Sequence, residues 1–364
     1  MVKTRILIVT GSSGGHIFPA LSLINSLNDK SISIDTLLVL PRKRSGKDIV
    51  LCGSRIEYLS ASSIKIKLNF KNLCAVFNFL KSIFESLFIL AEFKPQVVVG
   101  FGSLTSVPVV FLAWLFRIKT MLHEQNVLPG RANKFLAPFA DRIAVSFFKT
   151  KDYLKPYQEK IVLTGNPLRQ ELKLCSKIDS LRFFGMDKNK LTILVMGGSQ
   201  CSSSVNRAFL TCISKLKSRE RLQVVHLTGE LDYSMLKDEY ERLGIEVRIF
   251  SFLKEMEFAY SASDIVISRA GATTIAELIY FSLPAILIPY PFAYRHQSFN
   301  AWFLESYGAA VMIGEGQLPG GRLGEVLADL LNTPAKIESM RSAYGNIPRT
   351  QADNLLREAT ISLA

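Results

Sequence analysis

The stretch ILIVTGSSGGHIFPAL (6–21) constrains the fold more than any other part of the sequence. Its apolar run, Ile6–Val9, predicts a buried strand, and the glycines that follow predict a sharp turn into a helix. A strand that leads through a glycine turn into a helix directs the first backbone N–H groups of the helix beyond the edge of the sheet. The stretch therefore predicts an α/β domain with an anion site at the end of its first strand.

The same pattern of a buried strand followed by glycines occurs twice more, at GFGSLTSVP (100–108) and at GGSQ (197–200). A chain of 364 residues exceeds the usual size of a single domain, and the third glycine turn opens a second series of strand and helix patterns. Alternating strands and helices predict doubly wound parallel sheets. We therefore predict two similar α/β domains, at residues 1–164 and 165–340, and a C-terminal helix in 341–364 that packs back towards the N-terminal domain.

Short apolar runs place the strands of both domains. In the first domain, strands are also predicted at 33–40, 56–60, 96–100, 119–122, 142–146 and 160–163. In the second domain, they are predicted at 192–196, 223–227, 246–250, 264–268 and 285–289. The turn sequence GNPLR (165–169) separates the two series.

The composition is that of a folded protein, because 48% of the residues are hydrophobic and only 21% are charged. Five cysteines occur without a CxxC pair, which is typical of a reduced, cytosolic protein. The longest uncharged apolar run, 107–116, is about half of the ~20 residues that a membrane-spanning helix needs. The apolar run near the N-terminus is too short for a secretory signal. We therefore expect no transmembrane segment.

The net charge of +13 predicts an anionic partner. No basic stripe is interleaved with aromatic residues, so nucleic acid is not the expected partner. An anionic membrane surface or phosphorylated substrates fit better. Segment 64–93 sets lysines among Phe and Leu, a composition typical of segments that lie on anionic lipid, although a helix packed on the sheet explains the apolar residues as well. In the first interpretation, residues 64–84 together with Trp114, Phe116 and Arg117 form the docking region.

The first glycine turn does not match the common nucleotide-binding motifs. GSSGGH (11–16) lacks GxGxxG spacing, and the second strand ends without an acidic residue for a ribose, which disfavours a nicotinamide or flavin enzyme. No Walker lysine follows the turn, which disfavours an NTPase. The sequence has no HExxH, cysteine cluster or Asp-x-Asp pair for a metal, and no GxSxG for an acyl hydrolase. No metal and no cofactor are therefore predicted.

Two side chains are candidates for a general base. His16 lies in the first glycine turn, and Glu124 lies in the polar tetrad HEQN (123–126), which follows a predicted strand. Open α/β sheets place ligand contacts beyond the carboxyl ends of their strands, so both side chains would face the cleft between the domains. The residues alone leave both candidates open. His226 lies within a predicted strand and is interpreted as a hydrogen-bonded core residue.

The densest polar segment is SRAGATTIAE (268–277), which follows a predicted strand and opens a helix. Helix N-terminal amides can hold a diphosphate, and the Glu277 carboxylate can accept two hydrogen bonds from a vicinal diol such as ribose. HQSFNA (296–301) begins another helix. Gln297 and Asn300 are about one turn apart there and are expected to face the same ligand.

Seven motifs in this order, nearly from end to end, resemble the MurG family of peptidoglycan glycosyltransferases. They are GSSGGHIFPA (11–20), GFGSLTSVP (100–108), HEQN (123–126), GNPLR (165–169), GGSQ (197–200), RAGATTIAE (269–277) and HQSFNA (296–301). The resemblance implies a GT-B fold, in which two Rossmann-like domains face a cleft. It also implies inverting transfer of N-acetylglucosamine from UDP-N-acetylglucosamine to the C4 hydroxyl of undecaprenyl-diphosphate-N-acetylmuramoyl-pentapeptide, the conversion of lipid I to lipid II.

For the cell, the resemblance implies a peripheral protein on the cytoplasmic face of the bacterial plasma membrane. Its partners would be the lipid-linked acceptor, the anionic membrane surface and cell-wall synthesis proteins. Its role would lie in cell-wall biogenesis, and through it in cell shape and division.

The resemblance also implies roles for individual residues. Among residues 1–169, Ser13, Gly14 and Gly15 line the cleft and approach the donor, Asn126 contacts the sugar side, and Arg169 lies near the diphosphate. His16 is favoured over Glu124 as the base, because it adjoins the turn where an acceptor diphosphate would lie. On the donor side, Ser199 lies near the diphosphate, the backbone of Leu253 reads uracil, and Gln297 makes a further nucleotide-sugar contact. The phosphate-and-ribose segment comprises Ala272, Thr273, Thr274, Ile275, Ala276 and Glu277, with Glu277 on the ribose hydroxyls.

Three positions depart from the family pattern. Ser12-Ser13 replaces Gly-Thr with little expected loss, Ser103-Leu104 replaces Gly-Tyr, and Cys201-Ser202 replaces Gly-Ala. A glycine needed for positive φ does not easily tolerate cysteine, so Cys201 is expected to alter the geometry of the third turn. Two alternatives therefore stay open: a related transferase with another lipid acceptor such as diacylglycerol, and a catalytically weakened scaffolding protein.

Overall fold

A computed structural model of the chain describes residues 3–28, 33–42, 55–60, 70–198, 201–216, 219–292 and 295–364, with the backbone alone for 70–76. The chain divides into two compact units. Unit 1 comprises Met1–Arg169 and Thr350–Ala364, and unit 2 comprises Gln170–Arg349. Residues 64–69 of the basic apolar segment, and Ser199 with Gln200, lie outside the described residues.

Unit 1 is built on a seven-stranded parallel sheet in the order β3-β2-β1-β4-β5-β6-β7. Its strands are β1 (Thr4–Val9), β2 (Ile34–Pro41), β3 (Arg55–Leu59), β4 (Val97–Gly100), β5 (Lys119–Glu124), β6 (Arg142–Val145) and β7 (Ile161–Leu163). The central strands are runs of Val, Ile and Leu that are buried on both faces. Such runs are typical of a parallel sheet that helices cover on each side.

Unit 2 repeats this arrangement with a six-stranded parallel sheet in the order β10-β9-β8-β11-β12-β13. Its strands are β8 (Leu191–Met196), β9 (Leu222–Leu227), β10 (Val247–Phe250), β11 (Ile265–Ser268), β12 (Ala285–Leu287) and β13 (Ala310–Met312). The predicted fold class, two α/β domains with doubly wound parallel sheets, is confirmed by the two sheets.

Helices connect the strands in both units. They are α1 (Gly14–Leu27), α2 (Phe70–Phe93), α3 (Ser103–Leu115), α4 (Arg131–Leu136), α5 (Lys177–Phe184), α6 (Ser203–Lys215), α7 (Glu230–Leu243), α8 (Met256–Ala262), α9 (Ala272–Phe281), α10 (His296–Ser306), α11 (Arg322–Asn332), α12 (Pro334–Ala343) and α13 (Ala352–Ile361). Among the described residues, no helix has both the length and the apolar character needed to cross a bilayer.

Alternation of side chains along β1 divides the core of unit 1 into two layers, because successive strand residues point to opposite faces of a sheet. Ile6 and Ile8 pack with α1, and Leu356 of the C-terminal helix α13 joins this layer. Leu7 and Val9 pack with α2, α3 and α4 on the other face. The end of the chain therefore completes the core of unit 1.

The register of the strands brings their carboxyl ends side by side. In unit 1, Val9 pairs with Gly100, and Gly100 pairs with Leu122. In unit 2, Met196 pairs with Ser268, which in turn pairs with the end of β12. The loops that follow these strands are consequently neighbours at one edge of each sheet, where open α/β sheets bind ligands.

One local prediction was wrong, and one strand was not predicted. β5 does not end at 122 but continues through His123 and Glu124, because Glu124 still pairs in register with Val145 of β6. The polar side chains of His123 and Glu124 indicated a loop, but both residues belong to β5, which lies between β4 and β6. Helix α3 begins at Ser103, directly after the second glycine turn, and accommodates Pro108. The short edge strand β13 was not predicted.

His226 of β9 is the hydrogen-bonded core residue that its position in a strand indicates. Its Nδ1 lies 2.7 Å from the hydroxyl of Tyr240, and its Nε2 lies 3.1 Å from Oδ1 of Asn206. The Asn206 amide nitrogen donates to the carbonyl of Thr228 at 2.9 Å and to the carboxylate of Asp232 at 2.8 Å. Burial lowers the pKa of His226 to about 3, so the imidazole is neutral in the folded protein.

We expect the free energy of unfolding to fall as the pH is lowered from about 6.5 towards about 3, because in this range the unfolded chain protonates a histidine that the folded chain keeps neutral. The contribution of His226 approaches about 1.4 kcal/mol per pH unit. Replacement His226→Gln should reduce that slope, as measured by urea unfolding at a series of pH values. Equal slopes in the two proteins would contradict a neutral, buried His226.

Candidate functional site

The first glycine turn of unit 1 forms an open helix N-terminus. Helix α1 begins at Gly14, and its N-cap residue Ser13 has extended backbone angles and an exposed side chain. The first turn, GGHI, has no acidic residue, and among the described residues the Ser13 side chain makes no capping hydrogen bond. The first amides of a helix lack partners within the helix and carry partial positive charge. The open helix end lies where the sequence predicts an anion site, and binding of an anion there stays a prediction.

Gly11 of the first turn and Gly102 of the second turn both lie against the ring of His16, and Gly11 also lies against Ser103. A Cβ atom on Gly11 would lie 2.7 Å from the Cβ of Ser103 and 3.2 Å from the His16 ring. A Cβ atom on Gly102 would lie 3.5 Å from the Cε1 atom of the same ring. Gly11 therefore permits the close approach of Ser103 and of the His16 ring, whereas Gly102 is in ordinary contact with that ring and has φ +80°, which favours glycine.

His16 and the tetrad at the end of β5 are in contact. Nδ1 of His16 lies 3.0 Å from Oε1 of Gln125, whose amide nitrogen lies 3.0 Å from Nδ1 of His123. His123 is completely buried, and desolvation lowers its pKa to about 4. A histidine that stays neutral and out of solvent is not placed to exchange protons with a substrate. The structure thus brings together two histidines that lie far apart in the sequence.

The carboxylate of Glu124 is occupied by the protein itself. It is 1% exposed and accepts hydrogen bonds from the backbone N–H groups of Asn126 and Gly130, both at 2.9 Å, and from the side chain of Asn133 at 2.8 Å. The Asn126 amide also donates to it at 3.2 Å. Three donors of the loop at 126–130 and the side chain of Asn133 on α4 thus bind one carboxylate, which fixes the loop that carries Asn126.

The turn at 165–169 is fixed against α1. The hydroxyl of Ser22 donates to the carbonyl of Leu168 at 2.6 Å, and the guanidinium of Arg169 lies 5.2 Å from the centre of the Phe18 ring. Asn166 is 5% exposed, and neither atom of its side-chain amide has a hydrogen-bond partner among the described residues. A buried amide without partners is costly, so a ligand or water is expected to bind it.

In unit 2, helix α9 presents a second open N-terminus. Its N-cap is Gly271, and Ala272 and Ile275 are buried, so these positions offer backbone groups rather than side chains. The hydroxyl of Thr273 is buried and has no partner among the described residues. Thr274 and Ala276 are half-buried. The first turn has no acidic residue, which leaves the positive helix end available to an anion.

Glu277 lies on α9 with its carboxylate held in one orientation. It is 6% exposed, and the hydroxyl of Tyr260 on α8 donates to it at 2.6 Å. The Tyr260 ring stacks on Phe281 at 5.0 Å between centroids. Tyr260 could not be predicted from the sequence, because nothing in the local pattern of α8 distinguishes it from a core aromatic residue.

The remaining predicted donor contacts of unit 2 lie in the loop after β10 and on helix α10. Leu253 is buried after β10, and the side-chain oxygen of Gln297 accepts from the backbone N–H of Tyr290 at 2.9 Å. Asn300 is completely buried and donates to the carbonyl of Ala270 at 3.1 Å. Gln297 and Asn300 thus hold the loops after β12 and β11, respectively.

Arg269 joins three loops of unit 2, and its partners could not be predicted from the sequence. Its guanidinium pairs with the carboxylate of Glu315 at 2.9 and 3.0 Å and donates to the hydroxyls of Ser202 and Ser204 at 2.8 and 3.0 Å. Arg269 is buried, and the ion pair lowers the pKa of Glu315. The pairing of Arg269 with Glu315 leaves no local pattern, because the two residues are distant in sequence. Within the described residues, no group of three His, Cys, Asp or Glu side chains could hold a metal ion.

Two of the departures from the family pattern lie where the backbone is left-handed. Ser103 has φ +72° and Cys201 has φ +57°. Non-glycine residues pay about 1–2 kcal/mol in this region. A Cβ atom on Gly229 would lie 2.5 Å from Sγ of Cys201, so the thiol occupies space that Gly229 leaves open. Ser199, the predicted diphosphate contact of this turn, lies outside the described residues.

Comparison with known proteins agrees with this architecture. The profile of the Glycosyltransferase family 28 N-terminal domain matches residues 6–145, and that of the Glycosyltransferase family 28 C-terminal domain matches residues 192–355. The structure of MurG from Acinetobacter baumannii is similar with a TM-score of 0.77 and 22% identity, over 99% of this chain and 100% of that one. A putative UDP-N-acetylglucosamine 2-epimerase from Listeria monocytogenes has a TM-score of 0.71 at 14% identity, over 100% and 98%.

Curated relatives are more similar in sequence. A protein of Thermodesulfovibrio yellowstonii is 36% identical over 93% of both chains, and one of Bacillus subtilis is 35% identical over 92% of this chain and 93% of its own. Both are named UDP-N-acetylglucosamine--N-acetylmuramyl-(pentapeptide) pyrophosphoryl-undecaprenol N-acetylglucosamine transferase. The chain therefore belongs to the MurG family of glycosyltransferases.

Proposed function

We propose that this protein transfers N-acetylglucosamine from UDP-N-acetylglucosamine to the C4 hydroxyl of undecaprenyl-diphosphate-N-acetylmuramoyl-pentapeptide. The observation that carries the proposal is the pairing, on α9, of an open helix N-terminus with a buried, oriented carboxylate. The first fits a diphosphate and the second fits a ribose, which together make a nucleoside diphosphate. The names of the full-length relatives supply the identity of donor and acceptor.

On the donor side, we assign the diphosphate to the amides of Ala272–Ala276 and to the hydroxyl of Thr273. Glu277 would accept hydrogen bonds from both ribose hydroxyls, and the hydroxyl of Tyr260 keeps its carboxylate from rotating. The backbone of Leu253 would read uracil, and Gln297 would contact the sugar. By resemblance, Ser199 and Arg169 also approach the diphosphate.

On the acceptor side, we assign proton removal to His16 and the binding of the acceptor diphosphate to the turn at Ser13–Gly15. The reaction is one inverting displacement: the C4 oxygen of the muramoyl group attacks C1 of N-acetylglucosamine, the bond from C1 to the diphosphate breaks, and UDP leaves. The proton of the hydroxyl passes to the imidazole. Amides at helix N-termini stabilise the charge that develops on the leaving diphosphate.

Glu124 is the less suitable base. A base needs a lone pair within reach of the substrate, and the Glu124 carboxylate already accepts four hydrogen bonds from loop and helix groups. We propose that it positions Asn126, which contacts the sugar side by resemblance. His16, by contrast, lies in the first turn of α1, at the open N-terminus of that helix.

We also propose that unit 1 docks on the anionic, cytoplasmic surface of the membrane through α2, α3 and α4. Four apolar side chains of α2 that share one face are between 51% and 77% exposed: Phe77, Leu80, Phe84 and Phe88. Helix α3, which packs on α2 and α4, exposes Trp114, Leu115 and Phe116 at its end. Lys81, Arg117, Arg131 and Lys134 supply positive charge on these elements. Apolar rings beside basic residues are typical of surfaces that lie on anionic lipid.

The test of the activity is a reaction with UDP-N-acetylglucosamine and a short-chain analogue of the muramoyl-pentapeptide lipid, with diacylglycerol as the alternative acceptor. We expect disaccharide with the muramoyl acceptor alone. Product with diacylglycerol alone would indicate a different lipid acceptor. Failure to bind the UDP-sugar would indicate a scaffolding protein for cell-wall synthesis enzymes.

Replacement Glu277→Gln should weaken UDP binding at least about tenfold, because a hydrogen bond to a charged group contributes about 1.5–3 kcal/mol and each 1.4 kcal/mol is tenfold in affinity. Isothermal titration with UDP measures the loss. Glu305→Gln is the matched control, since Glu305 accepts from the backbone N–H of Met312 in the same unit, outside the donor segment. An unchanged affinity in Glu277→Gln would remove Glu277 from the ribose site.

Replacement His16→Gln should lower kcat by about 10²–10⁴-fold, the usual contribution of a general base, and leave UDP affinity within about twofold. Steady-state kinetics at saturating substrates, with titration of UDP, separates the two effects. Glu124→Gln, tested in parallel, should raise the KM for the acceptor because it disturbs the Asn126 loop. Near-normal kcat in His16→Gln would transfer the role of base elsewhere.

The double replacement of Phe84 and Phe88 by serine should weaken binding to phosphatidylglycerol vesicles at least about tenfold, because burial of each ring contributes about 1.5–3 kcal/mol. Cosedimentation measures the bound fraction, which salt should also reduce. Leu231→Ser is the control, since Leu231 is 96% exposed on unit 2. Binding that depends on neither anionic lipid nor salt would contradict the proposed surface.

A further inference from the structure

A chain of hydrogen bonds runs from His16 into the core of unit 1. It passes from Nδ1 of His16 to the side chain of Gln125, from Gln125 to Nδ1 of His123, and from Nε2 of His123 to the carbonyl of Gly165 at 3.1 Å. His123 and Gln125 are 0% and 1% exposed. Because each member is a donor or an acceptor, the position of every proton in this chain can be worked out.

The orientation of the Gln125 amide is determined by two backbone carbonyls. Its nitrogen lies 3.3 Å from the oxygen of Phe101 and 3.1 Å from the oxygen of His123. Carbonyl oxygens accept hydrogen bonds and cannot donate them. The reverse orientation would place three oxygens together in a buried site without protons between them. The NH₂ group therefore faces the core, and the side-chain oxygen faces His16.

An oxygen of Gln125 at 3.0 Å from Nδ1 of His16 requires a proton on that nitrogen. The lone pair of the neutral ring is then on Nε2. When the ring gains a proton, it gains it on Nε2, and the bond from Nδ1 to Gln125 stays as it was. In this tautomer, Nε2 is the ring nitrogen of His16 that gains and releases a proton.

His123 holds the other end of the chain. Its Nδ1 accepts from the NH₂ group of Gln125, so its Nε2 carries the proton and donates to the carbonyl of Gly165. The ring packs against Phe101 at 5.0 Å between centroids. Since burial lowers the pKa of His123 to about 4, the ring keeps its acceptor nitrogen at neutral pH. Gln125 consequently has a fixed partner on each side.

We propose that Gln125 and His123 are positioning residues that fix His16 in the tautomer with the proton on Nδ1, so that Nε2 is the atom that takes the proton of the acceptor hydroxyl. The proposal deepens the function proposed above and depends on the role of His16 as base. Histidine bases need such a partner because the partner decides which ring nitrogen carries the lone pair.

His226 in unit 2 provides an internal comparison. The amide nitrogen of Asn206 is bound to Thr228 and Asp232, so the amide oxygen faces Nε2 of His226. The same reasoning then puts the proton of His226 on Nε2, as in His123. Of the three histidines with these contacts, His16 alone should carry its proton on Nδ1.

Nitrogen-15 NMR of histidine-labelled protein tests the assignment without reference to activity. The chain has four histidines, and the variants His16→Gln and His226→Gln identify two of the signals. We expect Nδ1 of His16 to remain protonated from acid to alkaline pH while Nε2 alone titrates, and His226 to have the opposite tautomer. A neutral His16 with its proton on Nε2 would overturn the proposal.

Replacement Gln125→Met tests the consequence for catalysis. It should let the neutral His16 ring populate both tautomers and lower kcat by about 10- to 100-fold, the range typical for loss of a residue that orients a metal-binding histidine. The KM for UDP-N-acetylglucosamine should change less than about twofold. Gln96→Met is the matched control, because Gln96 accepts a hydrogen bond from the backbone N–H of Arg5 in the same unit, outside the site.

The two experiments separate the proposal from the function on which it depends. An unchanged tautomer and an unchanged kcat in Gln125→Met would overturn the positioning role. If His16 has the expected tautomer but His16→Gln stays active, then the role of base is wrong, and the hydrogen-bond chain is structural.

Discussion

The parallel register of the strands is the constraint on which both candidate sites depend. It aligns Val9 with Gly100 and Leu122 in unit 1, and Met196 with Ser268 in unit 2. The chain therefore leaves each sheet at the same edge, and the helices that follow begin there with their positive ends. Residues far apart in sequence become neighbours as a result, which is how the turn at His16 meets the tetrad at the end of β5.

Much of this arrangement could be predicted from the sequence, because it depends on local patterns. Buried runs such as Ile6–Val9 predict strands, and glycines predict turns, so the fold class follows directly. The carboxylate of Glu124 could not be understood in this way, since its partners come from the curvature of a loop and from helix α4. The same is true of Tyr260 with Glu277 and of Arg269 with Glu315, which meet only when the fold is complete.

The departures from the family pattern have a physical meaning that the sequence alone could not supply. Ser103 and Cys201 both adopt left-handed backbone angles, and each side chain lies against a glycine of a neighbouring turn, Gly11 or Gly229. The fold thus accommodates Ser103 and Cys201 at positions with positive φ, where glycine would have no backbone strain. The cost of about 1–2 kcal/mol at each position is small beside the burial of two complete cores.

The fold alone does not decide the reaction, since a putative UDP-N-acetylglucosamine 2-epimerase shares this architecture. The reaction is identified by the stereochemistry of the product and by the atom that receives the sugar. The most direct measurement is NMR of the product formed from UDP-N-acetylglucosamine and a short-chain muramoyl-pentapeptide acceptor. Our account predicts N-acetylglucosamine joined in the β configuration to C4 of the muramoyl ring. An α linkage, N-acetylmannosamine, or UDP release with an unchanged acceptor would contradict it.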